Sequence, residues 1–132
     1  MRLNCSTDYA IRILIYLAKE ASVVSSAKLS EKVGVSPRYL LQIGAKLRKA
    51  ELITTTYGPS GGFSIKRPAN GISLYDIITA MEGGITYQLS QKHKGLMDIK
   101  PLDEIYKYMD DMSIRYLKGI TIAELLPQSD EI

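Results

Sequence analysis

Apolar residues in the first part of the chain return every third or fourth position. Tyr9, Ile11, Ile13, Leu14, Leu17 and Ala18 share one broad face, with Arg12, Lys19 and Glu20 on the wet side, and this period predicts an opening helix. Ser6 or Thr7 is its expected N-cap, because a hydroxyl there accepts from an otherwise unpaired amide of the first turn. The small and β-branched run at 22–26 breaks the period and reads as a connector with room for one short strand. A second helix is expected over 27–33, capped by Ser25 or Ser26 and stopped at Gly34, which tolerates a left-handed backbone. Ser36-Pro37 restarts the helical pattern, with serine as cap and proline in a first turn that has no amide bond to lose. This third helix is expected over 37–50, with Leu40, Ile43, Leu47 and Ala50 facing inward.

Beyond residue 51 the pattern changes. Residues 52–57 are rich in Ile and Thr, a turn follows at Gly58-Pro59-Ser60-Gly61-Gly62, and 63–66 reads as a second strand before Arg67-Pro68. Two short strands around a Gly-rich tip predict a hairpin. Ser73-Leu74-Tyr75-Asp76 has the spacing of a capping box, with Leu74, Ile77, Ile78 and Met81 at helical intervals and Gly83-Gly84 as the stop. Residues 85–101 are polar and weakly patterned and read as loop. Pro101 opens a longer helix to 118, and Thr121-Ile122-Ala123-Glu124 starts a short last one that Pro127 ends.

The chain has 132 residues, enough for one domain and an appendage. No apolar run approaches the roughly 18 residues of a membrane span. The beginning, Met1-Arg2-Leu3-Asn4-Cys5-Ser6, lacks the apolar stretch of a secretory signal. Cys5 is the only cysteine, so neither an internal disulfide nor a zinc site of several cysteines can form. A reducing, cytoplasmic setting is the expectation. Net charge is only +3, but it is unevenly spread: residues 1–68 hold eleven Lys/Arg against four Asp/Glu, and 69–132 hold six against ten. A basic half joined to an acidic half suggests that one end meets a polyanion.

The spacing around Gly34 shows which end. Leu29, Ser30, Val33, Gly34, Val35, Leu40 and Ile43 supply the small, turn-forming and apolar residues that hold two helices at a fixed angle. A hairpin immediately downstream makes the expected fold mainly α with a small β-hairpin wing. This is a winged helix-turn-helix domain over 1–83, followed by a loop and a long C-terminal dimerisation helix over 84–132. The third helix would enter a major groove with its first turn toward base edges. Its outward residues are Arg38, Tyr39, Gln42, Lys46 and Lys49. Arg38 suits guanine and Gln42 adenine, while Lys46, Arg48 and Lys49 suit phosphate. Lys28, Ser36 and Pro37 mark two helix N-termini where backbone amides are available to phosphate. Tyr57, Gly58, Ser60 and Gly61 at the wing, with Lys66 and Arg67 one strand later, are expected at a neighbouring minor groove or sugar–phosphate edge. The Gly-rich turn lacks the Gly-Lys-Ser/Thr ending of a P-loop and precedes a strand, so it does not read as a nucleotide cradle.

In the long helix Leu102, Ile105, Met109, Met112 and Tyr116 step by three and four, with Tyr108 beside them. Little of so short a chain is left to cover that seam. A two-fold mate would cover it, presenting two recognition helices to an inverted repeat.

The sequence resembles the winged-helix bacterial repressors typified by IscR, NsrR and CymR. The likeness rests on Tyr9-Ala10-x-Arg12-x-Leu14-x-x-Leu17-Ala18, then on Ser36-x-x-Tyr39-Leu40-x-x-Ile43-x-x-x-Leu47-x-x-Ala50-x-Leu52. It continues through Gly58-x-x-Gly61-Gly62-Phe63 and Ile72-Ser73-Leu74-x-Asp76-Ile77-Ile78-x-Ala80-Met81-Glu82-Gly83. It implies a homodimeric, cytoplasmic transcription factor. Cluster-bearing members place three cysteines after the helix that ends near Gly83, and residues 84–101 contain none. Asp8 matches the position of a non-cysteine cluster ligand, but iron–sulfur clusters are held through cysteine sulfur. No cofactor and no metal site is therefore expected, and residues 84–101 would receive a metabolite, a protein partner or nothing. Leu41 stands where some members carry a base-reading acid, Tyr57 where the wing usually has arginine, and Glu51 where a glycine customarily ends the helix.

Two other classes of function remain to be separated from DNA binding. A winged fold can serve as a protein-docking adaptor without touching nucleic acid, and the basic first half argues against that. An enzyme has almost no support, with one His, one Cys and no paired carboxylates that can be placed in a site.

Overall fold

The computed structural model describes residues 3–84 and 97–127. In chain order these form α1 (Cys5–Glu20), α2 (Ser26–Val33), α3 (Pro37–Lys49), β1 (Ile53–Thr56), β2 (Gly62–Ile65), α4 (Leu74–Glu82), α5 (Lys100–Lys118) and α6 (Ile122–Leu125). A single 3₁₀ turn at Ala69–Gly71 separates the hairpin from α4. The expected mainly helical fold with a two-stranded wing is present. Most of the stretch read as loop, including His93, lies outside the described residues, as do 128–132.

Helix α1 runs through the middle of the core. Its Ala10, Ile13, Leu14 and Leu17 pack with Leu29 of α2, Leu40, Ile43 and Leu47 of α3, Ile53 and Phe63 of the hairpin, and Ile77 and Met81 of α4. Most of these side chains are almost wholly removed from water, and each large aliphatic one contributes about 1.5–3 kcal/mol by its burial. Helix α1 begins earlier than the hydroxyl pattern predicted. Asn4 is the N-cap and makes no side-chain cap bond. Glu82 of α4 does that work instead: its carboxylate accepts from the Asn4 amide at 3.2 Å and from the buried Thr7 hydroxyl. Ser6 and Thr7 are inside the first turn, and a carboxylate 78 residues from Asn4 holds the start of the helix in place.

The α2–α3 turn is built as its residues suggested. Ser25 caps α2 by accepting from the Lys28 amide at 3.2 Å, and Gly34 ends it in the left-handed region at φ 84°. The Ser30 carbonyl accepts from the Gly34 and Val35 amides at 2.9 and 3.1 Å, while the Ser30 hydroxyl donates to the Val35 carbonyl. A buried polar group with all its bonds made fixes the angle between the two helices.

β1 and β2 pair antiparallel in the register Ile53↔Ile65 through Thr56↔Gly62. The connector adds one residue to this sheet, where Val24 and Phe63 exchange two backbone hydrogen bonds of 2.8 Å. Gly62 is required at this join, since a Cβ there would lie 2.0 Å from the Val24 carbonyl oxygen. Ser73 and Asp76 form the expected reciprocal cap of α4, at 3.1 and 2.9 Å.

Helix α5 rests on α4 through Ile114 and Leu117, which pack on Leu74, Tyr75 and Ile78. The Lys118 ammonium sits 4.7 Å from the centre of the Tyr75 ring. The chain then returns to the first core: Leu74 donates to the Ile120 carbonyl and Ile122 to the Ile72 carbonyl, both at 2.9 Å, and Ile122 is fully buried. Ile122 thus brings the chain after α5 back into the winged core.

Candidate nucleic-acid interface

The core fixes one side of α3 and leaves the other open. Leu40, Ile43, Gly44 and Leu47 are buried, while Arg38, Leu41, Gln42, Ala45, Lys46, Arg48 and Lys49 are exposed. Ser36 caps the helix by accepting from the Tyr39 amide at 3.1 Å, and Pro37 occupies the first turn. Arg38, Gln42 and Lys49 recur at helical spacing along the outermost line. Lys46 lies on the flank toward α1 and α4, in a shallow hollow it shares with Gln42, Ser6 and Met81.

Tyr39 departs from the expected outward set. It is half-buried, with its ring edge-on to Tyr9 at 5.8 Å, so it braces α3 against α1. Among the described residues, Arg38, Lys46 and Lys49 have no acidic side chain within 4.0 Å. Lys28 is exposed at the start of α2, with its ammonium 4.0 Å from Glu20. Glu20 also accepts from the hydroxyl of buried Tyr16, which holds the carboxyl below its usual range and pushes the phenol up to about 12. Tyr16 therefore stays neutral at any ordinary pH.

The wing is less basic than its sequence suggested. Its tip, Gly58-Pro59-Ser60-Gly61, carries no cation, and Gly58 is left-handed at φ 101°. Gly61 folds so tightly that a Cβ would lie 2.1 Å from the Thr56 carbonyl oxygen. Lys66 and Arg67 are at the base of the hairpin rather than the tip. Lys66 pairs with Glu51 at 3.2 Å, and Arg67 approaches Asp76 at 4.0 Å. Just before the tip stands Tyr57, 78% exposed, whose hydroxyl accepts from the Arg48 guanidinium at 2.9 Å. This bond ties the end of α3 to the wing. Neither it nor the exposure of Leu41 was assigned a role from the sequence. From the sequence Leu41 stands out as a residue off the 40/43/47 stripe and, by the resemblance, at a position where some members carry a base-reading acid.

Glu51, in the turn from α3 to β1, has φ 61°, a conformation that disfavours any residue with a Cβ. This is the strain expected where glycine customarily stands.

A protein-family model described as an iron-dependent transcriptional regulator, Rrf2, matches residues 3–128. The HTH-type transcriptional regulator ORF2 of Azotobacter vinelandii is 32% identical over 98% of this chain and 82% of its own. IscR of Escherichia coli is 29% identical over 96% of this chain and 80% of its own. Among solved structures, CymR of B. subtilis superposes with a TM-score of 0.80 at 26% identity, covering 95% of both chains. IscR of T. potens does so at 0.76 and 27%, covering 95% of this chain and 85% of that one.

The family description names iron, but the donors of this chain do not fit an iron–sulfur cluster. Cys5 is its only cysteine, and among the described residues no three His, Cys, Asp or Glu side chains converge. Asp8 accepts from Arg12 at 3.0 Å. Among the described residues no helix is long and apolar enough to cross a membrane. Regulators match this chain along almost its whole length: the protein belongs to the Rrf2 family, as a DNA-binding transcriptional regulator and not an enzyme.

Proposed function

We propose that the protein is a cytoplasmic homodimeric repressor that lays two α3 helices into successive major grooves of an inverted repeat, without an iron–sulfur cluster. The observation that carries this reading is the seam of α5. Ile105, Tyr108, Met109, Met112 and Tyr116 are 46–70% exposed, and Leu102 is 37% exposed. An apolar seam of this spacing is stable in water only when covered, and crossing a second copy covers it. The two-fold axis then sets two recognition helices at a fixed separation, and the DNA must share that symmetry.

On each half-site Arg38 would fork onto guanine and Gln42 onto adenine. Lys28, Lys46, Arg48 and Lys49 would hold phosphates, helped at Ser36–Pro37 and beside Lys28 only by the first-turn amides that the Ser25 and Ser36 caps leave over, since the Lys28 and Tyr39 amides are already bonded and Pro37 has none. The wing tip from Tyr57 to Gly61 would meet the adjacent backbone or minor groove, while Lys66 and Arg67 would add charge from its base. Binding of this kind would repress by covering a promoter. Residues 84–101 would receive a metabolite, a protein partner or nothing.

The test is selection of duplexes from a random pool by the purified protein, with its mass in solution measured alongside. A dimer enriching an inverted repeat, with affinity that falls steeply as salt is added, is the expected result. A monomer, or a protein whose binding is absent or insensitive to salt, overturns the proposal and leaves the winged fold as a protein-docking adaptor.

A further inference from the structure

Between α3 and the wing lies a cleft of about 170 Å³. Its floor is the Phe63 ring under Gly44, so close that a Cβ on Gly44 would stand 3.2 Å from the ring. Leu41 and Ala45 line the helix side, with Thr55 and Tyr57 opposite. Arg48 also borders the cleft, but its guanidinium is drawn to the Tyr57 hydroxyl at 2.9 Å. At its helix edge the cleft is bordered by Leu41, 59% exposed, beside the line that carries Arg38 and Gln42.

The surface of α3 nearest a DNA groove is thus two-sided in chemistry. Arg38 and Gln42 offer hydrogen bonds. Leu41 and Ala45, one turn apart, offer none and are backed by further apolar atoms. Lone exposed leucines are common on protein surfaces, but this one continues into an apolar hollow. The edges of bases in the major groove present one apolar group, the 5-methyl of thymine. Seating it removes apolar surface of both molecules from water, whereas a cytosine there would present its amino group to a partner that cannot accept a hydrogen bond.

We infer that Leu41, with Ala45, makes this cleft a seat for the 5-methyl group of one thymine in each half-site, so that α3 selects a T·A pair by apolar contact. The inference rests on the proposed docking of α3 in a major groove. It makes Leu41 a specificity residue, where hydrogen-bonding residues alone had been assigned that work.

The experiment uses the full chain and the best duplex enriched from a random pool. Each thymine is replaced singly by deoxyuridine, which removes the methyl and leaves base pairing intact. The expected result is one position per half-site at which affinity drops about fourfold, the value of one buried methyl-sized group. In Leu41→Ala the same replacement should cost nothing, and in Leu41→Met it should still cost affinity. Deoxyuridine silent at every position, or equally costly in wild type and Leu41→Ala, overturns the inference while leaving DNA binding intact. Failure to enrich any duplex overturns both. Leu41 is exposed, so the unchanged melting temperature of its variants serves as the control for folding.

Discussion

Helices α3 and α5 are both amphipathic, and both turn one face away from the core. The outward face of α3 carries Arg38, Gln42, Lys46 and Lys49, while that of α5 carries Ile105, Met109 and Met112. A cationic face is content in water and binds by exchanging counterions for phosphate. An apolar face has no such alternative and must be covered by matching apolar surface. Under the proposed function the same geometric fact, an uncovered helix side, calls for two different partners: a polyanion for one helix and a second copy for the other. Among the described residues, the two are linked through α4, where Ile114 and Leu117 of α5 rest, and through the return of Ile122 into the winged core.

The largest expected effect comes from breaking the apolar side. Met109→Glu with Met112→Glu places charges on a seam that should be desolvated in a dimer. Both residues are about half exposed in the single chain, so its fold should survive. Sedimentation should show a monomer with nearly unchanged melting temperature. Affinity for the inverted repeat should fall at least about 100-fold, because the second half-site no longer adds its binding to the first. A double variant that remains dimeric would place the contact elsewhere.

The cationic side should respond in a different manner. Arg38→Ala is expected to cost about 1–3 kcal/mol and to relax preference at one base pair, as loss of a bidentate base contact does. Lys46→Ala should weaken all duplexes alike and flatten the log–log salt dependence by about one unit for each site lost. Competition between specific and random duplexes at two salt concentrations separates the two. If Lys46→Ala changed sequence preference and Arg38→Ala did not, their roles on α3 would be reversed.

What the sequence made legible follows the same division between local and distant causes. Ser25, Ser36 and Ser73 act within three residues of themselves, and Gly34 acts at its own φ, so the bounds of α2, α3 and α4 could be read to within about two residues. The start of α1 could not, because its N-cap, Asn4, is held by Glu82, at the far end of α4. The basic character of Lys66 and Arg67 was visible, but their acidic neighbours Glu51 and Asp76 were not, since a hairpin base and a helix start bring them together. Tyr39 and Leu41 show the limit of periodicity on α3. Both flank its buried stripe, but on opposite sides: one faces Tyr9 and is half-buried, the other faces the wing and stays open.

The smallest effect tests how far the cationic surface extends. Glu51 combines a strained backbone, φ 61°, with an exposed ion pair to Lys66. Relieving the strain with Glu51→Gly should stabilise the fold by up to about 1 kcal/mol, while losing an exposed pair costs between about 0 and 1 kcal/mol. The net gain should appear as a rise of at most about 2–4 °C in melting temperature. Glu51→Gln keeps the strain and removes only the charge, so it should show no such rise. In both variants Lys66 loses its acidic partner. If the base of the wing lies on the phosphate backbone, each should steepen the log–log salt slope by about 0.9 per protomer and tighten binding slightly at low salt. That is the expected outcome. A slope unmoved in both variants would confine DNA contact to α3 and the tip of the wing, and would leave the Glu51–Lys66 pair as a feature of the turn alone.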